Sequence, residues 1–353
     1  MPQQNTNYLK IVENIGSVIV FYKTQKKINE YKLNKNSIPT HLIRYEIPEE
    51  INTKIEKKQV EGEIASKFGD DVVNFTNTLI KQFPEETLNN FYHNINSLNM
   101  RYKNFKIENL IYNTHTIGDY SIKNNRLSID TEEGLEALPH ELFHMASSRF
   151  SERLSLSGFQ QTSLKLNINI GRGINEGYTQ LLTERYFNEY VTSNIYPYEK
   201  KIMAEIEEIV GKEQLEKLYL NSNLPGLIRI LEKYNEKDNI LNFISSIDFL
   251  NQNIYKTKAN KKTQEAVFNH IERVNNFFID TYANKLITEY KEKTLPKEEY
   301  SKKLEDYTMS HGYVTLAGNY RYTVPSTERL YEKIEKLDNK FNTIVENMES
   351  KNK

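Results

Sequence analysis

The chain has 353 residues, with 47 basic and 48 acidic side chains and a formal charge of −1. That balance gives no positive excess to attract nucleic acid or an anionic membrane, so neither is expected as a partner. There is no cysteine, which removes disulfides, thiolate ligands and cysteine nucleophiles together and leaves nitrogen and oxygen to hold any metal.

The first residues, Met1-Pro2-Gln3-Gln4-Asn5, lack a basic stretch followed by an apolar one, and the aliphatic run Val18–Tyr22 is far too short to span a bilayer. A cytoplasmic protein is the expectation, leaderless export being the other route open to it. Residues 1–104 read as a mainly helical N-terminal region. Pro48-Glu49-Glu50 and Pro84-Glu85-Glu86 look like helix openings, and Phe68, Val72, Val73, Phe75, Leu79 and Ile80 mark a buried helical face.

Residues 105–195 change character. Tyr120–Lys123 and Arg126–Ile129 flank Asn124-Asn125 as a hairpin. Asp130 with Glu133 resembles a capping box, and Pro139 then kinks or restarts the helix. That helix carries His140-Glu141-Leu142-Phe143-His144. Histidines four apart stand about 40° from each other on one helical face, so both imidazoles can reach one zinc ion. Leu135, Leu138, Leu142, Met145 and Ala146 fall on the other side, at about 140–240° from His140. The intervening Glu141 is placed to take a proton from a water at the metal.

After the turn Gly171-Arg172-Gly173, a second helix is expected from Asn175 to Tyr190, with Glu176, Gln180, Thr183 and Phe187 on one face. Arg172 reads either as a contact for a substrate carboxylate or as a cap on a neighbouring helix. Residues 196–353 read as a helical C-terminal region. Gly211 marks a stop, Leu224-Pro225-Gly226 a turn, and Asn239–Asn251 and Ala266–Tyr290 amphipathic helices. A loop over Ser310–Pro325 holds His311, Tyr313, Tyr320 and Tyr322. Leu330, Ile334, Leu337, Phe341, Ile344 and Met348 alternate steps of four and three, a stripe too short for a long coiled coil. It is expected to pack on the protein's own body, with oligomerisation through 330–348 the less favoured use. The fold class is therefore α+β and predominantly α-helical, with a small antiparallel sheet or hairpin packed beside the zinc helix.

Catalytic zinc commonly takes three protein ligands and a water. The extended histidine form would need Gly and His at 147 and 150, where the chain has Ser147 and Phe150. A glutamate on the later helix remains, and Glu176, which follows the glycine turn on a face free of aliphatics, is the candidate, with Glu184 its rival. An oxyanion donor is sought in the loop of His311, Tyr313, Tyr320 and Tyr322. His41, His93, His115 and His270 are isolated and read as structural.

Over about 70 residues, from the Tyr120 strand to Tyr190, the motif with Ile174-Asn175-Glu176-Gly177 resembles the gluzincin metallopeptidases. The resemblance implies zinc held by His140, His144 and Glu176, with Glu141 as general base and a peptide or protein as substrate. It also implies that the strand near Arg126–Asp130 is a sheet edge that pairs with an extended substrate. Two features depart from that pattern. The 32 residues from His144 to Glu176 require an extra loop or helix over Phe150–Leu166. Gln180 stands where an aspartate would orient a histidine, so either Gln180 or Glu184 is expected to take that role. The alternatives from other classes are a metal-stabilised binding or regulatory protein that cleaves nothing, and a helical structural protein whose motif is coincidental.

Overall fold

In the computed structural model the described residues are 67–351, apart from 107–108, 110–115, 152–153, 164–167, 192–194, 257–259 and 325. The helix opening expected at Pro48, and His41 and His115, lie outside them. Helix α1 (Asp70–Gln82) begins with Asp70 and Asp71 and has Lys81 in its last turn, matching the helix dipole at both ends. Val72, Phe75 and Leu79 form its buried face, as expected from their spacing. One 3-10 turn after Pro84, helix α2 (Asn89–Asn96) follows.

The first sheet contains β1 (Asn99–Lys103), β2 (Gly118–Ser121) and β3 (Arg126–Asp130) in the order β1-β3-β2. β2 and β3 form the expected antiparallel hairpin, turned through Asn125 at φ 42°. β1 adds a parallel partner, so β3 is the central strand and not the edge that the resemblance implied. The reason is burial on both faces: Leu127, Ser128 and Ile129 are consecutive and each at most 1% exposed. Asp130 does not cap the motif helix. Its carboxylate accepts N–H bonds from Glu132, Glu133 and Phe105, which close the turn after β3 and hold the carboxyl below its ordinary range. Leu135, placed on the apolar stripe by the helical wheel, lies in a separate 3-10 turn and is exposed.

Helix α3 (Leu138–Ala146) starts with Pro139 in its first turn, and Leu138, Leu142, Met145 and Ala146 are buried. Phe143 fills the space behind the motif, where its ring meets Phe75 at 5.1 Å and Phe187 at 5.8 Å. The Asn94 amide on α2 donates to the carbonyls of Met145 and Ser148, capping the end of α3 from outside. The stretch expected as a loop or helix is instead an antiparallel meander of β4 (Ser148–Phe150), β5 (Leu154–Ser157), β6 (Gln160–Ser163) and β7 (Ile168–Ile170). Small polar residues alternate there with few apolar ones and leave no helical stripe. Gly158 at φ 50° supplies the two-residue turn between β5 and β6.

Helix α4 (Arg172–Tyr186) begins three residues before its expected start at Asn175. The remainder comprises α5 (Pro197–Val210), α6 (Lys212–Leu220), α7 (Leu224–Leu231), α8 (Lys237–Asn253), α9 (Lys261–Lys291), α10 (Lys297–Gly312), β8 (Val314–Ala317), β9 (Tyr320–Thr323) and α11 (Thr327–Lys351). The early start of α4 has a tertiary cause. The Asp248 carboxylate on α8 accepts the N–H groups of Gly171 and Gly173, both at 2.8 Å, and satisfies the first turn. Leu224-Pro225-Gly226 is the first turn of α7 rather than a free turn, because the Asn223 side chain accepts the Gly226 N–H. The Ser310–Pro325 stretch contains the end of α10 and the β8–β9 hairpin.

Ile334, Leu337 and Phe341 on α11 are buried in a cluster with α9 and α10, Leu330 before them is also buried, and Tyr300 stacks on Phe341 at 3.8 Å. The protein's own body thus covers that stripe. The architecture is α+β and predominantly helical, with small sheets beside the motif helix. Described residues before and after 104 join without a break, α2 packing on α3 and β1 pairing with β3, and α4 lies along α5 across 195. No helix among the described residues is long and apolar enough to cross a membrane.

Candidate metal centre

α3 and α4 pack against each other and bring His140, His144 and Glu176 together. Nε2 of His140 is 3.1 Å from Nε2 of His144, and Oε2 of Glu176 is 3.3 and 3.4 Å from the two nitrogens. Ligands about 2.0–2.1 Å from a tetrahedral ion are about 3.3–3.4 Å from one another. The three atoms therefore form one face of such a site without rearrangement, and these residues could hold a metal ion. Burial works against a charge on Glu176, but His144 and His140 hold its carboxyl well below the ordinary range.

Both histidines are oriented from behind. Lys200 on α5 donates to both oxygens of Glu184, at 2.8 and 2.7 Å, and the Gln180 amide nitrogen donates to the same carboxylate at 3.1 Å. Glu184 can only accept, so the Gln180 oxygen faces Nδ1 of His140, 3.2 Å away. His140 thus donates from Nδ1 and turns the lone pair of Nε2 toward Glu176. Gln180 and Glu184, the two residues from which the orienting group was expected, act in one relay. Glu184 does not join the cluster that Glu176 completes.

Asn175 serves His144. Its amide oxygen accepts the Phe159 N–H at 3.1 Å, which leaves its nitrogen 3.3 Å from Nδ1 of His144. Asn175 was missed as an orienting group in the sequence. Its signal was its place directly before Glu176.

The cleft over these residues has a volume of about 370 Å³. Glu141 lines it and is pressed against β2: a Cβ on Gly118 would stand 2.9 Å from Cγ of Glu141. Burial, first, pushes the Glu141 carboxyl up to about 8. His140 opposes this, the charges of Glu176 and Asp119 reinforce it, and the Tyr120 N–H donates to the carboxylate and opposes it again. Ile117 accepts from the Asp130 N–H on the β3 side. By the alternation of an antiparallel pair, Gly118 and Tyr120 then turn their backbone groups outward, toward the cleft. The sheet edge that faces the cleft is therefore β2.

His311, Tyr320 and Tyr322 do not line this cleft. His311 stacks on Tyr307 and lies 3.6 Å from Glu205, while Tyr320 and Tyr322 pack on Phe268. Tyr313, also named as a candidate, is exposed on the same hairpin and is likewise absent from the lining. Of the tyrosines that do line the cleft, Tyr120, Tyr190 and Tyr196, Tyr196 stacks on His140. Its ring lies 6.0 Å from His140 at 28°, and its hydroxyl is held in the protonated form chiefly by the charge of Glu176 and then by burial. Nothing local in the sequence marks it beyond the Pro197 that follows. It has a left-handed backbone (φ 52°) at the start of α5, and the packing of α5 on α4 brings it to the cleft. His270 is structural as expected, held by Ser246 and stacked on Phe249, and His93 is exposed at the end of α2. Comparison with protein-family models, curated proteins and solved structures finds no match for this chain.

Proposed function

We propose that this protein is a zinc-dependent peptidase of the gluzincin type, hydrolysing peptide bonds with water. The observation that carries the reading is the triangle of His140, His144 and Glu176 atoms, 3.1–3.4 Å on a side, with Glu141 on the cleft wall beside it. A zinc ion held there would polarise the scissile carbonyl and an attacking water, and its charge would counter the burial that raises the Glu141 carboxyl.

The chain's own residues do the rest. Glu141 accepts a proton from the water as the carbon–oxygen bond forms, then passes it to the amine nitrogen as the carbon–nitrogen bond breaks. Gln180 and Asn175 keep the two imidazoles in place. Tyr196 presents a hydroxyl from the side of His140, suited to donate to the carbonyl oxygen as negative charge develops on it. The outward backbone of Gly118 and the Tyr120 carbonyl offer an extended peptide a strand to pair with.

The test is metal analysis with a peptide-library digest of the wild type and Glu141→Gln. The expected result is one equivalent of zinc in both proteins and cleavage by the wild type alone. Zinc bound at one equivalent with no cleavage by the wild type would favour a metal-stabilised binding protein. No zinc uptake at all would remove the metal centre.

A further inference from the structure

Arg172 opens α4 one turn before Glu176, and its side chain is half exposed on the cleft wall. The N–H groups of Gly171 and Gly173 at the start of α4 are taken by the Asp248 carboxylate, a role that a guanidinium, which only donates, does not fill. The contact of Arg172 to Glu176 is a loose one: Nε stands 3.8 Å from Oε1, the oxygen opposite the one that meets both imidazoles. Among the described residues no hydrogen bond or closer ion pair engages its guanidinium. It is also the sole Lys or Arg among the described residues lining the cleft, where Asp119, Glu136 and Glu141 are acidic.

A guanidinium offers paired N–H donors in a plane that matches a carboxylate. We propose that Arg172 is a carboxylate subsite, and that the substrates carry a carboxylate at a fixed short distance from the bond that is cut. This rests on the peptidase reading above. The distance follows from geometry. Arg172 reaches the far oxygen of the same carboxylate whose near oxygen completes the triangle, and an extended peptide advances about 3.3–3.6 Å per residue. A carboxylate on Arg172 therefore lies one or two residues from a peptide bond placed over the triangle. Its source is either the α-carboxylate of a peptide C-terminus or an Asp or Glu side chain, and the acidic residues elsewhere on the wall disfavour either one there.

The experiment digests a library of proteome-derived peptides, in free-acid and C-terminally amidated forms, with the zinc-loaded protein, and maps the cuts by mass spectrometry. The expected cuts keep one register, one or two residues from a carboxylate. Loss of the cuts on amidation assigns the carboxylate to the C-terminus. Survival on amidation, with loss when Asp and Glu are replaced by Asn and Gln, assigns it to a side chain. Arg172→Gln should lower the preference for the carboxylate form by about 10-fold or more, through KM rather than kcat.

A second readout does not depend on turnover. Glu141→Gln, loaded with zinc, is titrated by calorimetry with a peptide from the library, in forms with and without the identified carboxylate. The carboxylate form should bind more tightly, and that difference should vanish when Arg172→Gln is added. Cuts without a carboxylate register, or an Arg172→Gln effect on kcat that is equal for all peptides, would overturn the subsite and leave the peptidase reading standing. A protein holding one equivalent of zinc that cuts nothing overturns both.

Discussion

Gly177 and Glu199 meet where α4 crosses the start of α5: a Cβ on Gly177 would collide with the Glu199 backbone carbonyl and stand 2.9 Å from its Cβ. The Glu199 carboxylate, wholly buried, is in turn held by the Tyr255 hydroxyl and the Asn251 amide on α8. This contact seats the first turn of α5, and with it Tyr196, next to the candidate metal centre. Gly177→Ala should therefore cost about 1–3 kcal/mol and move Tyr196 away from His140. The measurement is the melting temperature together with hydrolysis and zinc content. A variant as stable and as active as the wild type would show that the close approach is not needed.

Tyr196→Phe removes one hydroxyl and leaves the ring. If that hydroxyl donates to the developing oxyanion, kcat should fall by about 10²–10³-fold, with KM and zinc content nearly unchanged. Steady-state kinetics on one good substrate decides this. An equal loss through KM would make Tyr196 a substrate-binding group instead.

Gln180 links His140 to the Glu184–Lys200 pair. Gln180→Ala deprives the Nδ1–H of its acceptor and should weaken zinc binding by about 10–100-fold. Competition with a chelator of known affinity measures it. The melting temperature of the variant should also need more zinc to reach its plateau. Unchanged affinity would show that helix packing alone orients His140.

Two partly buried groups outside the cleft lining set opposing pH dependences. Burial, with some help from the Arg273 charge, lowers His270 to about 4, so the unfolded chain takes up its proton first on acidification. That contribution is complete above about pH 6.5 and is lost as pH falls toward 4. Burial raises Glu205 to about 7, so the folded state holds its proton more tightly. Its contribution is present below about pH 4.5 and is lost as pH rises through 7. Glu205→Gln should thus gain stability relative to the wild type between pH 5 and 7.5, and His270→Gln should gain in the opposite direction, each by about 2–3 kcal/mol at most. Calorimetric melting from pH 5 to 8 compares the three proteins. Parallel profiles would mean that neither group changes its proton affinity on folding.

What the sequence by itself determined were the features carried by local spacing. His140 and His144 share a face because they are one helical turn apart, and Leu138, Leu142, Met145 and Ala146 are buried because they lie on the opposite side. Glu176 could be singled out because the lack of cysteine, the residues at 147 and 150 and the glycine turn left few other partners. The face of Glu176, Gln180 and Thr183 was legible for the same periodic reason, and all three line the cleft.

Only tertiary structure decided the remainder. β3 is central because Asn99–Lys103 returns as a parallel partner, a pairing between segments whose separation no local pattern encodes. The β4–β7 meander depends on cross-strand hydrogen bonds and turn geometry, so its polar sequence gave no periodic signal. Tyr196 reaches the site from 20 residues beyond Glu176 because α5 lies back along α4 where Gly177 has no side chain. Helical periodicity says which face of a segment is buried. It does not say which distant segment will cover it, because that choice rests on the packing of surfaces far apart in the chain.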